Sequence, residues 1–310
     1  MPDGPRAAPA PVADGAPPVY RSGFVALAGR PNVGKSTLLN QLLGTKVAIT
    51  APVPQTTRTV LRGILHRPDA QVVFIDTPGL HRPRHQLGAF MVEVARRALR
   101  DADVVAWVVD ASPPLTEEDR TVAAALRGVR APVVLAVNKV DRPGADPGRA
   151  EAEARTLVPL AAAYRLSAVT GEGVEAFLQG LIAHLPAGPA YYPEEMLTDQ
   201  PEQFLVRELI REQVIHHTRE EVPHAVAVEV EEFAERPDGT LYVRATIHVE
   251  RPSQKKILIG RGGAMLRAIG TAARREVEAL LGRRCYLDLW VTVTPDWREK
   301  PALIRSFYPE

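Results

Sequence analysis

Apolar runs of strand length recur between helical patterns over residues 23–185 of this chain. The clearest runs lie at residues 24–28, 71–75, 104–109 and 133–137. Because these runs are nearly continuous rather than alternating, they predict parallel strands covered on both faces of a sheet. Helices are predicted between them, at about residues 35–43, 86–100, 116–128, 149–158 and 173–185. The pattern therefore predicts an α/β domain with a mostly parallel sheet and helices on both faces.

A second pattern begins after a break rich in proline and glycine at residues 186–193, which indicates a linker. Beyond the break, the predicted order is helix, strand, strand, helix, helix, strand, which is typical of an α+β domain. The elements are a helix from Phe204, strands at 224–234 and 240–250 around a turn at 237–239, helices ending near Ile259 and residue 281, and a strand at 285–294.

The length of 310 residues suits about two domains, each able to bury its own core. We predict a disordered tail at residues 1–20, which are rich in Pro, Ala and Gly. The predicted division of the rest is a first domain at 21–186, a linker at 187–202 and a second domain at 203–310.

Composition restricts the cellular setting. No apolar stretch approaches the ~20 residues that span a bilayer, so any membrane contact is expected to be peripheral. The single cysteine, Cys285, excludes an internal disulfide framework and fits a reducing cytoplasm. It lies in an alternating run, which favours a small strand residue, with a redox sensor as the alternative.

Four short motifs follow the predicted strands in one order. The first, Gly29–Ser36, is a G-x-x-x-x-G-K-S phosphate loop, in which backbone N–H groups and the following helix bind phosphates. Lys35 is expected to contact the β- and γ-phosphates, and Ser36 to ligate Mg²⁺. Because ligands of open α/β sheets bind at the carboxyl ends of the strands, the placement of the motifs supports a nucleotide site independently.

The second motif is Asp76-Thr77-Pro78-Gly79. Asp76 is expected to hold the same Mg²⁺ through its water shell, and the backbone N–H of Gly79 to sense the γ-phosphate. Thr57, in a loop between the first two motifs, is our choice for the second hydroxyl ligand of the ion.

The third motif, Asn138-Lys139-Val140-Asp141, narrows the base to guanine. The Asp141 carboxylate can accept hydrogen bonds from guanine N1–H and the 2-amino group, whereas adenine would leave it unpaired. Asn138 is expected to brace the phosphate loop, and the Lys139 stem to lie against the base and ribose. Ser167 and Ala168, the fourth motif, are expected to direct a backbone N–H at guanine O6.

These motifs give the predicted site. The nucleotide-binding residues are Gly29, Asn32, Val33, Gly34, Lys35, Ser36, Thr37, Asp76, Gly79, Asn138, Lys139, Asp141, Ser167 and Ala168. The metal ligands are Ser36, Thr57 and Asp76, and the catalytic residues are Lys35, Thr57, Gly79 and Asn32.

Slow hydrolysis is predicted because Leu80 and His81 follow Gly79, where several switch GTPases carry a glutamine that positions water. Water would then be placed by the backbone, an ion or a partner. The side-chain oxygen of Asn32 could ligate K⁺ beside the phosphates, or Asn32 could simply stabilise the turn of the loop. Both roles remain open.

Gly260-Arg261-Gly262-Gly263 lies between two predicted helices and matches the G-x-x-G loop of a KH domain, which clamps single-stranded nucleic acid. A plain helix–helix turn would explain the glycines equally well. Residues 251–284, however, carry nine Lys or Arg against two Glu, a net charge of +7, while residues 220–250 carry a net charge of −6. The basic segment surrounds the loop, as a phosphate-binding surface would.

Together the GRPNVGKSTLLN, QTTR, DTPGLH, LAVNKVD, SA and QKKILIG…G segments resemble those of Era-type bacterial GTPases of the TRAFAC class, over residues 21–306. The resemblance implies a GTPase domain followed by a type II KH domain. It also implies binding near the 3′ end of 16S rRNA, a role in assembly of the 30S subunit, an RNA-binding state favoured by GTP, and peripheral contact with the inner face of the cell membrane. We expect a cytoplasmic monomer with no DNA partner.

The RNA contacts expected from the loop and its flanks are Lys255, Lys256, Gly260, Arg261, Gly262, Gly263 and Arg267. The sequence favours a slow GTPase whose nucleotide state, GTP or GDP, controls RNA binding. The alternative is an RNA-binding assembly scaffold in which GTP is structural and hydrolysis incidental. A metabolic enzyme is disfavoured, because the second half has no paired acid and base or metal constellation.

Overall fold

The computed structural model describes residues 19–309. The disordered tail predicted for residues 1–20 therefore lies outside the described residues, except for its last two positions. Within the described part, the chain forms two sheets with helices packed on them. No helix in this part is long and apolar enough to cross a membrane.

The first sheet has six strands in the order β2-β3-β1-β4-β5-β6, all parallel except the antiparallel pair of β2 and β3. The strands are β1 (Arg21–Ala28), β2 (Leu61–Arg67), β3 (Ala70–Asp76), β4 (Val104–Asp110), β5 (Val133–Asn138) and β6 (Ala162–Arg165). The helices are α1 (Lys35–Leu43), α2 (Gln86–Asp101), α3 (Glu117–Leu126), α4 (Pro147–Leu157) and α5 (Val174–His184).

Burial explains the continuous apolar runs. Every residue of β3, β4 and β5 is buried, because helices pack on both faces of these central strands. The sequence did not predict β2 and β6. Both are edge strands with several half-buried side chains, so neither carries the continuous apolar pattern. The predicted α/β domain with a mostly parallel sheet is confirmed.

The second sheet has three strands in the order β7-β8-β9, with β7 antiparallel and β9 parallel to β8. The strands are β7 (Ala227–Glu235), β8 (Leu241–Val249) and β9 (Cys285–Val293). The helices are α6 (Glu202–His217), α7 (Val222–Ala225), α8 (Pro252–Ile259), α9 (Ala264–Leu281) and α10 (Pro301–Phe307). This small mixed sheet with helices confirms the predicted α+β second part.

One sequence prediction was wrong in this part, and the last helix was not predicted. Residues 224 and 225, predicted as strand, belong to α7, which has a proline in its first turn, where the fixed φ of proline suits a helix. The helix α10 was not predicted; its Ile304 and Phe307 pack in one apolar cluster with Leu87 and Met91 of α2 and so join the two halves. We propose domain limits at 21–186 and 203–310, although α6 already begins at Glu202.

Candidate nucleotide site and nucleic-acid interface

The predicted phosphate loop connects β1 to α1, at the carboxyl edge of the first sheet. Gly34 has a φ of 103° and directly precedes the helix. A Cβ atom at this position would lie 2.4 Å from Nδ2 of Asn138. Glycine is therefore needed here for two reasons: it adopts the left-handed backbone conformation, and it leaves room for the side chain of Asn138 from β5.

Lys35 is buried at the first turn of α1. Its Nζ donates hydrogen bonds to the carbonyl oxygens of Gly29 and Arg30, at 3.1 and 3.0 Å. Burial lowers the pKa of Lys35 to about 8, and the nearby carboxylate of Asp76 opposes this shift. Phosphate oxygens would favour the charged ammonium in the same way, so the side chain is suited to bind an anion at the loop.

Three predicted metal ligands converge beside the loop. The Oγ of Ser36 lies 2.6 Å from Oδ2 of Asp76, and Oγ1 of Thr57 lies 3.2 Å from the same oxygen and 3.0 Å from Ser36 Oγ. The other carboxylate oxygen, Asp76 Oδ1, is buried without a hydrogen-bond partner among residues 19–309. Burial raises the pKa of Asp76. Two hydroxyl groups and a carboxylate with one unpaired oxygen are oxygen ligands of the kind that Mg²⁺ and its water shell prefer.

The Asp76–Gly79 segment packs directly on the phosphate loop. A Cβ at Gly79 would lie 2.6 Å from the backbone N of Pro31, so only glycine permits this contact. Leu80 is buried in the core of the first sheet, which keeps its side chain away from the phosphates. His81 is also buried, and its Nε2 lies 2.8 Å from Nε2 of Gln55. Sequence reasoning did not pair these two residues, which are 26 positions apart.

Asn138 braces the site as predicted from its motif. Its Nδ2 donates to the carbonyl of Val33 at 2.8 Å, and its Oδ1 accepts from the backbone N–H of Ala168 at 2.9 Å. The N–H of Ser167 donates to the carbonyl of Glu172. Both N–H groups thus have partners within the protein, and their role toward guanine O6 stays a prediction.

Lys139 and Asp141, which follow β5 in the third motif, have different surroundings. The Nζ of Lys139 donates to the carbonyl of Asn32 at 2.7 Å and to Oδ2 of Asp110 at 2.6 Å. Burial acts to raise the pKa of Asp110, but the hydrogen bonds from Lys139 and from the N–H of Ser112 outweigh it and the pKa is lowered. Asp110, at the end of β4, was not predicted as a site residue. The carboxylate of Asp141 is exposed, where a base could reach it.

Asn32 has a φ of 62°, in the left-handed region that asparagine tolerates better than most residues. Its Nδ2 donates to the carbonyl of Pro52 at 3.1 Å. These features support the structural role, and the side-chain oxygen is the atom that the potassium role requires. Val33 is buried in the core, and Thr37 lines the small cavity beside Lys35 and Ser36.

The loop that leads to Thr57, here called the Thr57 loop (residues 45–58), contacts the second half of the chain. Arg211 of α6 donates to the carbonyl of Thr56, and Oε1 of Glu212 accepts from the N–H of Thr50 at 2.8 Å. The guanidinium of Arg58 is buried among residues 223–226 and Tyr308. None of these contacts was predicted, because their partners lie more than 150 positions apart.

The G-x-x-G loop lies between α8 and α9, as predicted. Its residues 261–263 form one tight helical turn, and Gly260, Gly262 and Gly263 have φ of 71°, 57° and 78°. A Cβ at Gly260 would lie 2.8 Å from the backbone N of Met265, whereas nothing lies within 4 Å of one at Gly262 or Gly263. The last two glycines therefore leave an open backbone surface.

A groove of about 490 Å³ runs beside this loop, between α9 and the edge strand β9. Gly263, Arg267, Arg274 and Tyr286 are among its lining residues. The side chains of Lys256, Arg261 and Arg267 are exposed, and Lys255 is half-buried. Cys285 also lines the groove, but it is largely buried and its pKa is raised to about 11 by desolvation, which disfavours the redox-sensor interpretation.

Comparisons with known proteins match both halves of the chain. Residues 24–139 match the family model described as 50S ribosome-binding GTPase, and residues 221–298 match the KH domain. The GTPase Era of Halothermothrix orenii is 48% identical over 289 residues, which cover 92% of this chain and 97% of that protein. The GTPase Era of Thermotoga maritima is 48% identical over 286 residues, with 92% and 95% covered.

Two solved structures share the whole architecture. A variant of Aquifex aeolicus Era bound to GDP and AlF4⁻ superposes with a TM-score of 0.89 at 38% identity, over 93% of this chain and 98% of that chain. Era in complex with MgGDPNP and nucleotides 1506–1542 of 16S ribosomal RNA gives the same TM-score, identity and coverage.

Proposed function

Because the chain belongs to the Era family of GTPases, we propose that its nucleotide state controls binding of its KH domain to single-stranded ribosomal RNA. As a member of this family it hydrolyses GTP to GDP and phosphate. One observation supports this control of RNA binding by the nucleotide. The Thr57 loop reaches Ser36 and Asp76 at one end, and it also contacts α6 of the second half. A loop that responds to the γ-phosphate would therefore also alter the contacts between the two halves.

The geometry of the phosphate loop supports the roles proposed for the nucleotide-binding residues. We propose that the N–H groups of the phosphate loop and Lys35 bind the phosphates, and that Gly79 presents its N–H to the γ-phosphate. Asp141 reads the guanine edge, and the Lys139 stem lies under the base. Because Leu80 is buried, hydrolysis is slow, and backbone groups or an ion must place the attacking water.

Ser36, Thr57 and Asp76 would hold Mg²⁺, since their oxygens already converge and Asp76 Oδ1 has no other partner among the described residues. Magnesium, when bound, neutralises negative charge on the β- and γ-phosphates during transfer. The protein's own contribution is to orient the three oxygens. We also propose, as a separate point, that the Asn32 side-chain oxygen ligates K⁺ beside the phosphates.

For the RNA, we propose the 3′ end of 16S rRNA, which the Era complex described above also contains. The G-x-x-G backbone would approach the sugar–phosphate chain, with Lys255, Lys256, Arg261 and Arg267 as the cationic contacts. Binding there would place the protein in assembly of the 30S subunit. We further propose that it acts as a cytoplasmic monomer, without DNA binding, and with peripheral contact at the inner face of the cell membrane.

The scaffold alternative makes a different prediction for hydrolysis. If nucleotide state controls RNA binding, single-turnover GTP hydrolysis should change when a 3′-terminal 16S rRNA fragment is added, and RNA affinity should differ between GTP-analogue and GDP complexes. A scaffold with structural GTP would show the same rate and the same affinity in all cases. A scrambled RNA of equal length is the control.

The RNA assignment is tested by crosslinking the GTP-loaded protein to cellular RNA and mapping the sites. We expect sites clustered near the 3′ end of 16S rRNA, with protein adducts in the segment from Lys255 to Arg267. Crosslinks spread over unrelated RNAs would contradict the proposed RNA target, but they would not bear on the GTPase activity.

A further inference from the structure

Arg58, the residue directly after Thr57, lies inside the protein with only 2% of its surface exposed. Its Nη1 donates to the carbonyl of Val226 and to the hydroxyl of Tyr308, the latter at 2.8 Å. Its Nη2 donates to the carbonyls of Pro223 and His224, each at 3.2 Å. All four acceptors belong to the second half of the chain. We call these four residues the Arg58 cage.

The position of Arg58 is explained by the carboxyl end of helix α7. A helix leaves its last carbonyl groups without partners inside the helix, and cationic side chains near that end satisfy them. The guanidinium of Arg58 takes this role for Pro223 and His224, and it lies 5.8 Å from the ring centre of Trp297. Because a buried charge is costly without such partners, the cage holds Arg58 in one place.

The other side of Thr57 is held as well. Arg211, which is fully buried in α6, donates to the carbonyl of Thr56. Both neighbours of Thr57 are therefore attached to the second half, Thr56 through its carbonyl and Arg58 through its side chain, while the Thr57 hydroxyl reaches Asp76 and Ser36 of the first half. Consecutive Cα atoms lie about 3.8 Å apart, so a displacement of Arg58 must displace Thr57.

We propose that Arg58 is a positioning residue for GTP hydrolysis, which acts from the Arg58 cage by holding the Thr57 hydroxyl where the magnesium ion needs it. The KH half then completes the GTPase site through this residue. This inference rests on the proposed role of Thr57 as a magnesium ligand. It predicts that changes in the cage, far from the nucleotide, alter the dependence of hydrolysis on magnesium.

The test is Arg58→Met in the full chain. We expect the maximal hydrolysis rate at saturating GTP to fall by about tenfold or more, since small misplacements of catalytic groups have effects of this size. The magnesium concentration for half-maximal activity should rise several-fold. GDP affinity should stay within about twofold of the parent, because the proposed role of Thr57 depends on the γ-phosphate, which GDP lacks.

Arg62→Met is the matched control. Arg62 is another arginine that attaches the first domain to a later segment of the chain, through a 2.8 Å ion pair with Asp199 of the linker, and this ion pair involves no residue of the Thr57 loop. This variant should keep the parent magnesium dependence. An equal rise in the magnesium requirement for both arginine variants would overturn the proposal, because the loss of any such long-range arginine contact would then suffice.

Two further variants make every outcome decisive. Tyr308→Phe removes one hydrogen bond from the cage and keeps the ring, so it should raise the magnesium requirement in the same direction by a smaller factor. If Arg58→Met fails to fold by circular dichroism, a parent-like Tyr308→Phe overturns the proposal. Thr57→Ala distinguishes failure of the proposed magnesium ligand from failure of the Arg58 proposal. If Thr57→Ala keeps the parent magnesium dependence, the role of Thr57 itself is rejected. If Thr57→Ala changes the magnesium dependence but a folded Arg58→Met does not, only the role of Arg58 is rejected.

Discussion

At the scale of single residues, we propose that guanine specificity is concentrated in Asp141. We predict that Asp141→Asn weakens GTP binding by roughly tens-fold or more, since the bound base would cover the carboxylate and each buried hydrogen bond lost then costs about 1–3 kcal/mol. The new amide N–H would face guanine N1–H, so that two donors meet. The same amide can donate to the 2-oxo group of xanthine, so the variant should bind xanthosine triphosphate more tightly than the parent protein does. Titration with both nucleotides measures the exchange. Equal GTP affinity in the two proteins would remove Asp141 from the base pocket.

The pKa of Lys35 predicts how nucleotide affinity depends on pH. Burial lowers this pKa to about 8 in the free protein, and phosphate favours the protonated ammonium. Binding therefore takes up a proton above that pH, and GDP affinity should fall as the pH rises through about 8, by at most tenfold per pH unit. Calorimetric titration in two buffers with different ionisation enthalpies reports the proton directly. Constant affinity from about pH 7 to pH 9 would contradict this.

Asn32 gives a third test at this scale. If its side-chain oxygen ligates K⁺, hydrolysis should run faster in K⁺ than in Na⁺ at equal ionic strength, and Asn32→Ala should abolish the difference. Asn32→Gly is the matched control for the turn, because glycine keeps the φ of 62° without the amide oxygen. Identical parent rates in both salts would leave Asn32 with its structural role alone.

At the scale of elements, we propose that the turn between α8 and α9 decides RNA binding. Gly262 suits a charge test because its φ of 57° is tolerated by Asn and Asp, and open space surrounds its Cβ position. Gly262→Asp should weaken binding of single-stranded RNA much more than Gly262→Asn, which has nearly the same shape without the charge. Gly260 is a poorer choice, since its Cβ would meet Met265 and disturb the loop itself.

The measurement is RNA affinity over a salt series, with circular dichroism to confirm folding. GTP hydrolysis without RNA should be the same in both variants, because the loop lies outside the nucleotide site. Matching RNA affinities for the Asp and Asn variants would show that the nucleic-acid surface lies elsewhere in the protein.

At the scale of the whole molecule, the proposed control implies a coupling between the two ligands. We predict that a GTP analogue raises RNA affinity relative to GDP by about fivefold or more, as is usual for coupled sites. By linkage, bound RNA must increase affinity for the analogue over GDP by the same factor. Fluorescence titrations of nucleotide with and without RNA, and of RNA with each nucleotide, close this cycle. RNA affinity that is independent of nucleotide would support the scaffold alternative.

The sequence by itself determined the two chemistries and most of the fold. The phosphate loop, the guanine motif and the G-x-x-G loop are contiguous segments, so their glycines and polar residues indicate local backbone and ligand chemistry directly. The central strands β3, β4 and β5 were predictable because burial on both faces demands uninterrupted apolar residues. The edge strands β2 and β6 carry no such requirement and were missed.

Only the tertiary structure decided how the two sites are connected. The arginine of the QTTR segment reads as an ordinary loop residue, yet it is buried against acceptors 165 to 250 positions away. Lys139 likewise pairs with Asp110 from a different strand, and Ala168 uses its N–H on Asn138. Sequence spacing encodes geometry within one turn or strand, whereas the partner of a buried charge depends on which distant segments pack together, and that is settled when the helices close on the sheets.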